Sequence, residues 1–171
     1  MINKKELVLK PLMDEDIPYF DKWLDKEYIW KWFGDKEDWL DEIRERDGKY
    51  DFLKHFIVCH EDQRIGYCLY ADCFFLKDLE EDGHDFNALY GDVVEENHTF
   101  EIGYLIGEEE YLNKGLGKRI IQMLEEKLVE IGGKEIAADP VEENIISIKA
   151  LLRNGFQKKS DGDYRKVIID R

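Results

Sequence analysis

A predicted strand, a glycine-rich loop and a long amphipathic helix follow one another directly between residues 100 and 131. The strand alternates between two faces, with Phe100, Ile102, Tyr104 and Ile106 on one and Glu101, Gly103 and Leu105 on the other. Apolar residues then recur at helical spacing: Leu116, Ile120, Ile121, Leu124, Leu128 and Ile131. Gly132-Gly133 ends this helix. The succession predicts a strand–loop–helix unit in which the helix covers one face of a sheet.

The remaining segments extend this unit to a complete α/β (α+β) pattern. We expect a strand at 7–9, a helix over 17–24, two short helices between 28 and 46 that break at Gly34, and a hairpin formed by 56–59 and 65–70. A strand at 135–138 follows the long helix, Asn144 caps a helix that runs to about Asn154, and a last hairpin closes with Val167-Ile168-Ile169. The pattern predicts one domain over residues 1–171, with a mixed central β-sheet and helices on both faces.

The charge balance restricts the partners of the chain. Its 25 Lys and Arg residues against 40 Asp and Glu residues give a net charge of −15 at pH 7. This charge disfavours nucleic acid and anionic membrane surfaces, and it favours a cationic small-molecule partner. With no long apolar run and no signal-peptide pattern at the N-terminus, we expect a cytoplasmic protein.

One acidic segment stands out, because residues 78–113 contain no Lys or Arg. Its first part is predicted to be a long loop, and loops of that length are usually functional or disordered. The acidic side chains of residues 78–96 either line an acceptor site for a polyamine-like substrate or form a solvated surface. The sequence leaves both interpretations open.

Cysteine and histidine spacing argues against a metal centre. Cys59, Cys68 and Cys73 form no C-x-x-C pair, and we interpret them as packing residues. The four histidines show no ligand spacing such as H-x-x-x-H, so we predict no metal. The absence of a G-x-S-x-G motif argues against a serine hydrolase.

The loop Asn113-Lys114-Gly115-Leu116-Gly117-Lys118 lies where a strand ends and a helix begins. Backbone N–H groups converge at such a helix start, where the helix dipole is positive, and a pyrophosphate fits there. Glycine lets the phosphate oxygens approach the backbone, and the two lysines add local positive charge. A tight turn without a ligand is the alternative for this short motif.

Four segments stand together in a characteristic order: residues 101–107 (EIGYLIG), residues 114–118 (KGLGK), Asp139-Pro140 followed by Asn144, and residues 153–156 (RNGF). In order and spacing they resemble the acetyl-CoA-binding half of the GNAT N-acetyltransferase superfamily. The segments around Trp23, 30–34 and 64–67 are similar to the aminoglycoside 6′-N-acetyltransferase branch. The resemblance implies a sheet in which two parallel strands, 100–106 and 135–139, splay apart to admit the pantetheine arm, with acetyl-CoA as co-substrate.

The resemblance also implies roles for individual residues. Lys114, Gly115, Leu116, Gly117 and Lys118 would hold the pyrophosphate, and Tyr104, Leu105 and Ile106 would pair with the pantetheine amides. Asn144 would lie beside the cofactor arm, with Lys149 near its phosphates. Asp139 matches an aspartate that, in the aminoglycoside branch, contacts the amines of the aminoglycoside substrate.

Two positions depart from the family pattern. An aspartate of the aminoglycoside branch is replaced by Gly103, and the tyrosine that many GNAT enzymes use as general acid is replaced by Leu151. The pattern Asn144, Ser147, Leu151 and Gly155-Phe156 is closer to the ribosomal-protein N-acetyltransferases. The acceptor is therefore either a cationic small molecule such as an aminoglycoside, with acetylation at its 6′-amine, or a protein N-terminus or metabolite amine; a non-catalytic acyl-CoA sensor is a third alternative.

Transfer of an acetyl group to an amine requires an uncharged amine, and therefore a base. We predict Glu101 and Asp139 as the catalytic carboxylates, since Glu101 lies on the cofactor strand and Asp139 follows the neighbouring strand. The alternatives are a paired strand carboxylate for Glu101 and a turn residue for Asp139. Trp32 is predicted to line the acceptor site, and the alternative is that its side chain packs in the core. Pairing through the last hairpin would make a homodimer.

Overall fold

A mixed seven-stranded sheet is the central element of the computed structural model, which describes residues 2–160 and 162–168. The strands are β1 (Leu7–Pro11), β2 (Leu53–His60), β3 (Gln63–Asp72), β4 (Thr99–Ile106), β5 (Glu135–Ala138), β6 (Gln157–Lys158) and β7 (Tyr164–Val167). Their order in the sheet is β1-β2-β3-β4-β5-β7-β6. β4 and β5 are parallel, whereas β1 and β2, β5 and β7, and β6 and β7 are antiparallel. The predicted mixed α/β architecture is confirmed.

Seven α-helices accompany the strands. They are α1 (Ile17–Leu24), α2 (Glu27–Phe33), α3 (Lys36–Arg44), α4 (Cys73–Leu76), α5 (Phe86–Tyr90), α6 (Leu116–Glu130) and α7 (Ile145–Arg153), as far as the described residues extend. Gly34, with a φ of 73°, separates α2 from α3, as predicted. The predicted last hairpin is present as β6 and β7, although Ile169 lies outside the described residues.

The parallel pairing of β4 with β5 is short. Its register joins Thr99, Phe100 and Glu101 to residues 135–137, and β4 then continues to Ile106. β4 is therefore longer than the part of it that pairs with β5, and the predicted splay of the two strands stays a prediction.

Two compact units make up the chain, and each consists of two chain segments. Unit 1 comprises Met1–Leu69 and Tyr104–Ile120, and unit 2 comprises Tyr70–Gly103 and Ile121–Arg171. The fully buried side chains of unit 1 include Phe20, Trp23, Leu24, Ile43, Ile57, Ile65, Tyr67 and Leu116. Those of unit 2 include Tyr90, Ile121, Leu124, Leu128 and Ile136. Each unit therefore has an apolar core of its own.

The acidic segment 78–96 is more structured than predicted, because it contains α5. Asp85 caps this helix by accepting a hydrogen bond from Ala88 N at 2.9 Å. Arg165, which is only 5 % exposed, donates to Leu89 O at 2.9 Å and to Asp92 Oδ1 at 3.1 Å. The guanidinium thus fixes the end of α5 inside unit 2, and the prediction of an uninterrupted loop is wrong.

The other composition-based expectations concern cysteines and membranes. Cys59, Cys68 and Cys73 are buried, as packing residues are, and none of them forms a disulfide within the described part of the chain. Among the described residues, none of the helices has the length and apolar character needed to cross a bilayer.

Candidate active site

The end of β4 in unit 1 is held by contacts from α1 and α2. A Cβ atom at Gly107 would lie 2.2 Å from the Trp23 ring, so only glycine permits this approach. Trp23 Nε1 donates to Glu108 Oε1 at 2.8 Å, and Lys26 Nζ donates to Gly107 O at 2.7 Å. These contacts fix the backbone directly after residues 104–106, the residues predicted to pair with the pantetheine arm.

The glycine loop contains two residues with left-handed backbone conformation directly before α6. Asn113 and Gly115 have φ values of 57° and 70°, and α6 begins at Leu116. At a helix start the first backbone N–H groups have no partner within the helix and are available to an anion. A Cβ atom at Gly117 would lie 2.6 Å from the Tyr104 hydroxyl, so only glycine permits this close approach of the Tyr104 side chain to the first turn of α6. We refer to residues 113–118 as the cradle, and its binding of a diphosphate stays a prediction.

Positive charge surrounds the cradle. Lys114 and Lys118 are exposed, as predicted for phosphate-binding side chains. Lys4 Nζ lies only 2.8 Å from where a Cβ of Gly115 would be, so a third ammonium group is present that sequence reasoning missed. Leu116 is only 1 % exposed; its side chain belongs to the core and only its backbone N–H is available for a phosphate.

Unit 2 contains the two predicted carboxylates. Burial raises the pKa of Glu101 to about 7, and the nearby negative charges of Asp139 and Glu81 contribute to this increase. Glu101 Oε2 is buried and has no hydrogen-bond partner among the described residues. A carboxylate with a pKa near neutrality can both accept and release a proton at physiological pH, which is the property of a general base.

Tyr90, at the end of α5, is the neighbour that favours the ionised form of Glu101. Its interaction with the Glu101 carboxylate lowers the pKa of Glu101, against the effect of burial. Neither Tyr90 Oη nor Glu101 Oε2 has a regular hydrogen-bond partner among the described residues. Tyr90 is fully buried, and sequence reasoning missed it because it lies in the segment predicted as loop.

Asp139 directly follows β5, and its side chain is exposed. Partial desolvation raises the pKa of Asp139, whereas the nearby His84 lowers it. The ring of His84 stacks on Phe86 at 5.3 Å. Unit 2 therefore brings Glu101, Asp139 and His84 into one electrostatic neighbourhood, and His84 was not predicted to be part of it.

Asn144 caps α7 in unit 2, since its side chain accepts a hydrogen bond from Ser147 N at 3.3 Å. Lys149 is exposed on the same helix. Leu151, at the position of the usual acid, is 2 % exposed and belongs to the core. No proton donor for a thiolate is available at that position.

Trp32 lies on α2 in unit 1 and is half-buried. Its burial is intermediate between that of a core residue and that of an exposed aromatic side chain. The Lys31 ammonium lies 4.6 Å from the centroid of its ring. A cation therefore already covers one face of the indole.

Comparison with known proteins identifies the family. The model of the Acetyltransferase (GNAT) family matches residues 14–156, which include segments of both units. The chain belongs to the GNAT acetyltransferase family. Structures of this fold that resemble the chain include AAC(6′)-Ib with paromomycin and acetyl-CoA, with a TM-score of 0.74 and 19 % sequence identity over 95 % of this chain and 93 % of that one.

Two further GNAT-fold structures come from named organisms. The aminoglycoside N(6′)-acetyltransferase from Legionella pneumophila has a TM-score of 0.70 at 15 % identity, covering 95 % of this chain and 92 % of that one. The spermidine N-acetyltransferase from Vibrio cholerae, in complex with CoA and spermine, has a TM-score of 0.70 at 14 % identity, covering 95 % and 96 %. These likenesses confirm the predicted GNAT fold.

Proposed function

We propose that the protein transfers the acetyl group of acetyl-CoA to a primary amine of a cationic small molecule, by direct attack of the bound amine. The observation that carries this proposal is the pair of carboxylates in unit 2, of which Glu101 has a pKa of about 7. Membership in the GNAT family and the diphosphate cradle at the start of α6 support acetyl-CoA as the donor.

The cradle residues have the cofactor-binding role. The backbone N–H groups of residues 114–118 hold the diphosphate, and Lys4, Lys114 and Lys118 balance its charge. The backbone N–H and C=O groups of Tyr104, Leu105 and Ile106, at the end of β4, form hydrogen bonds with the pantetheine amides. When bound, acetyl-CoA would supply a thioester carbonyl that an amine can attack; the new C–N bond replaces the C–S bond, and the departing thiolate takes its proton from solvent, since residue 151 is leucine. The N–H of Leu105 is our candidate for stabilising the oxyanion.

Glu101 removes the proton of the amine. An alkylammonium has a pKa near 10 in water, so the reactive neutral amine forms only if a base takes its proton. A carboxylate with a pKa near 7 is ionised in a large fraction of molecules at neutral pH, and it is more basic than an ordinary glutamate. Tyr90 is a positioning residue, because it acts on the Glu101 carboxylate rather than on the substrate.

Asp139 binds the ammonium groups of the acceptor. It is exposed, while Glu80, Asp82 and Asp85 of the acidic segment are exposed in the same unit. Such a surface attracts a polycation and repels anions. The neighbours bound to an aminoglycoside or to spermine support this acceptor class, with an aminoglycoside-like polyamine as first choice.

Steady-state thiol release with a panel of amines tests the proposal. We expect release that depends on both acetyl-CoA and a polyamine or aminoglycoside, with little release for neutral amines or for a peptide N-terminus. If a peptide is the preferred acceptor, the proposed substrate class is wrong and the proposed acetyl transfer is still supported. Cofactor binding without release for any amine would instead identify an acyl-CoA sensor.

A further inference from the structure

Three side chains in unit 1 place metal-ligating atoms together at one end of the β2–β3 hairpin. Glu6 ends the short turn before β1, His60 ends β2, and Glu61 begins the hairpin turn. One ligand atom of each lies within 4.8 Å of the other two. Local spacing could not predict this group, since Glu6 is distant from His60 in the sequence.

A chain of hydrogen bonds determines which ring nitrogen of His60 carries the proton of the neutral imidazole. Gln63 Nε2 donates to Glu110 Oε1 at 3.1 Å, so Gln63 Oε1 is the atom that accepts from the Tyr111 hydroxyl, at 3.2 Å. With its proton directed to Gln63, the Tyr111 oxygen can only accept from His60 Nδ1, at 3.0 Å. In a neutral imidazole this leaves the lone pair on Nε2, the atom that faces Glu6.

The His60 imidazole and the Glu6 carboxylate approach each other without a regular hydrogen bond between the described atoms. Among the residues that the structure describes, none gives the buried His60 Nε2 a hydrogen bond, and this atom lies 3.5 Å from Glu6 Oε2. Asn3 Nδ2 donates to Glu6 Oε1 at 2.8 Å and leaves Oε2 directed at the imidazole. Two ligands at about 2.1 Å from a tetrahedral zinc ion are separated by roughly 3.4 Å, which matches this spacing.

We propose that Glu6, His60 and Glu61 form a binding site for a divalent transition-metal ion of the zinc type. An imidazole nitrogen with two carboxylate oxygens suits zinc and its neighbours better than Mg²⁺ or Ca²⁺, which prefer oxygen ligands alone. Tyr111 and Asn3 orient the imidazole and one carboxylate through their hydrogen bonds, as residues behind metal ligands do. The ion joins the turn before β1 to the hairpin, and the site is independent of the acetyl-transfer proposal.

Titration of the full chain with Zn²⁺ at pH 8 by calorimetry tests the site. We expect one saturable site and a melting temperature several degrees higher with zinc. His60→Ala removes the saturable heat, Glu6→Gln and Glu61→Gln each weaken binding at least about tenfold, and Tyr111→Phe weakens it about tenfold. Mg²⁺ does not compete.

Matched variants control for the acidity of the chain. His98→Ala removes a histidine outside the cluster, and Glu96→Gln removes an exposed carboxylate; both should bind zinc as the wild type does. Equal affinity and stoichiometry of His60→Ala and wild type would overturn the proposal. So would nitrogen NMR spectra that show the His60 ring protonated on both nitrogens at pH 8 and unchanged by zinc, because the contact with Glu6 would then be a simple ion pair.

Discussion

The hydroxyl of Tyr90 faces the carboxylate of Glu101 in the interior of unit 2. Tyr90 is fully buried, and both Tyr90 Oη and Glu101 Oε2 lack another hydrogen-bond partner among the described residues. Burial alone would favour a neutral Glu101, whereas the tyrosine favours its anion. The balance of these two effects keeps the carboxylate able to titrate near neutral pH.

Tyr90→Phe is expected to move the acidic limb of the pH profile of kcat/KM to higher pH. The variant keeps the buried ring and removes the group that lowers the pKa of Glu101. An interaction of about 1.4 kcal/mol between the hydroxyl and the carboxylate corresponds to a shift of about one pH unit. The measurement is thiol release over pH 5–9. Tyr50→Phe removes an exposed hydroxyl in unit 1 and should leave the profile unchanged; an unmoved profile in Tyr90→Phe would argue against the positioning role.

Glu101→Gln is expected to reduce kcat about 10²- to 10⁴-fold, because the amine loses its base. In the wild type, kcat/KM should fall as the pH decreases below about 7, where Glu101 becomes protonated. The variant should lose this pH dependence. Thiol release by both proteins at pH 6, 7 and 8 provides the comparison. If the variant keeps the kcat of the wild type and the same decrease of kcat/KM at acidic pH, Glu101 is not the base.

The same substitution has a predictable effect on stability. The pKa of Glu101 rises from 4.5 to about 7 on folding. Below about pH 4.5 the carboxyl is neutral in both states, whereas above pH 7 the folded protein must bury a charge. The wild type therefore loses about 3 kcal/mol of the free energy of unfolding between these values.

Glu101→Gln escapes this loss, since its amide does not ionise. We expect the variant to be more stable than the wild type by up to about 3 kcal/mol at pH 8 and equally stable at pH 4. Urea denaturation at pH 4, 6 and 8 measures the difference. Glu95→Gln, at an exposed position of the same unit, should show no such trend.

Gly117→Ala is expected to weaken the binding of coenzyme A. The added Cβ would lie 2.6 Å from the Tyr104 hydroxyl, so it would displace the Tyr104 side chain beside the first turn of α6. Calorimetry with coenzyme A measures the loss. In the control variant Gly48→Ala, the Cβ meets its nearest atom at 3.6 Å and affinity should be retained; unchanged affinity in Gly117→Ala would show that the diphosphate binds elsewhere.

The sequence predicted those parts of the fold and site that depend on local patterns. Helix α6 follows from its apolar spacing, and the Asn144 cap of α7 follows from its residue type. Helix α5 was missed because its five residues show no periodicity of their own. It is held by Arg165, a residue far along the chain, and Tyr90 was missed for the same reason.

Arg165→Met is expected to lower the free energy of unfolding by about 3–5 kcal/mol. Arg165 donates to Asp163, which is fully buried, and to Glu135 at 2.7 Å, so its loss leaves buried negative charge without a cation. Urea denaturation measures this cost. Arg44→Met removes an exposed partner of Asp41 and should cost about 1 kcal/mol or less.

Hydrogen exchange then distinguishes a local from a general effect of Arg165→Met. Because Arg165 also binds Leu89 O and Asp92, its removal should increase amide exchange in α5 more than in α6. The loosened helix carries Tyr90, so the pH profile of acetyl transfer should shift in the same direction as in Tyr90→Phe. Uniform exchange across both helices would show that Arg165 stabilises unit 2 as a whole rather than fixing α5 beside Glu101.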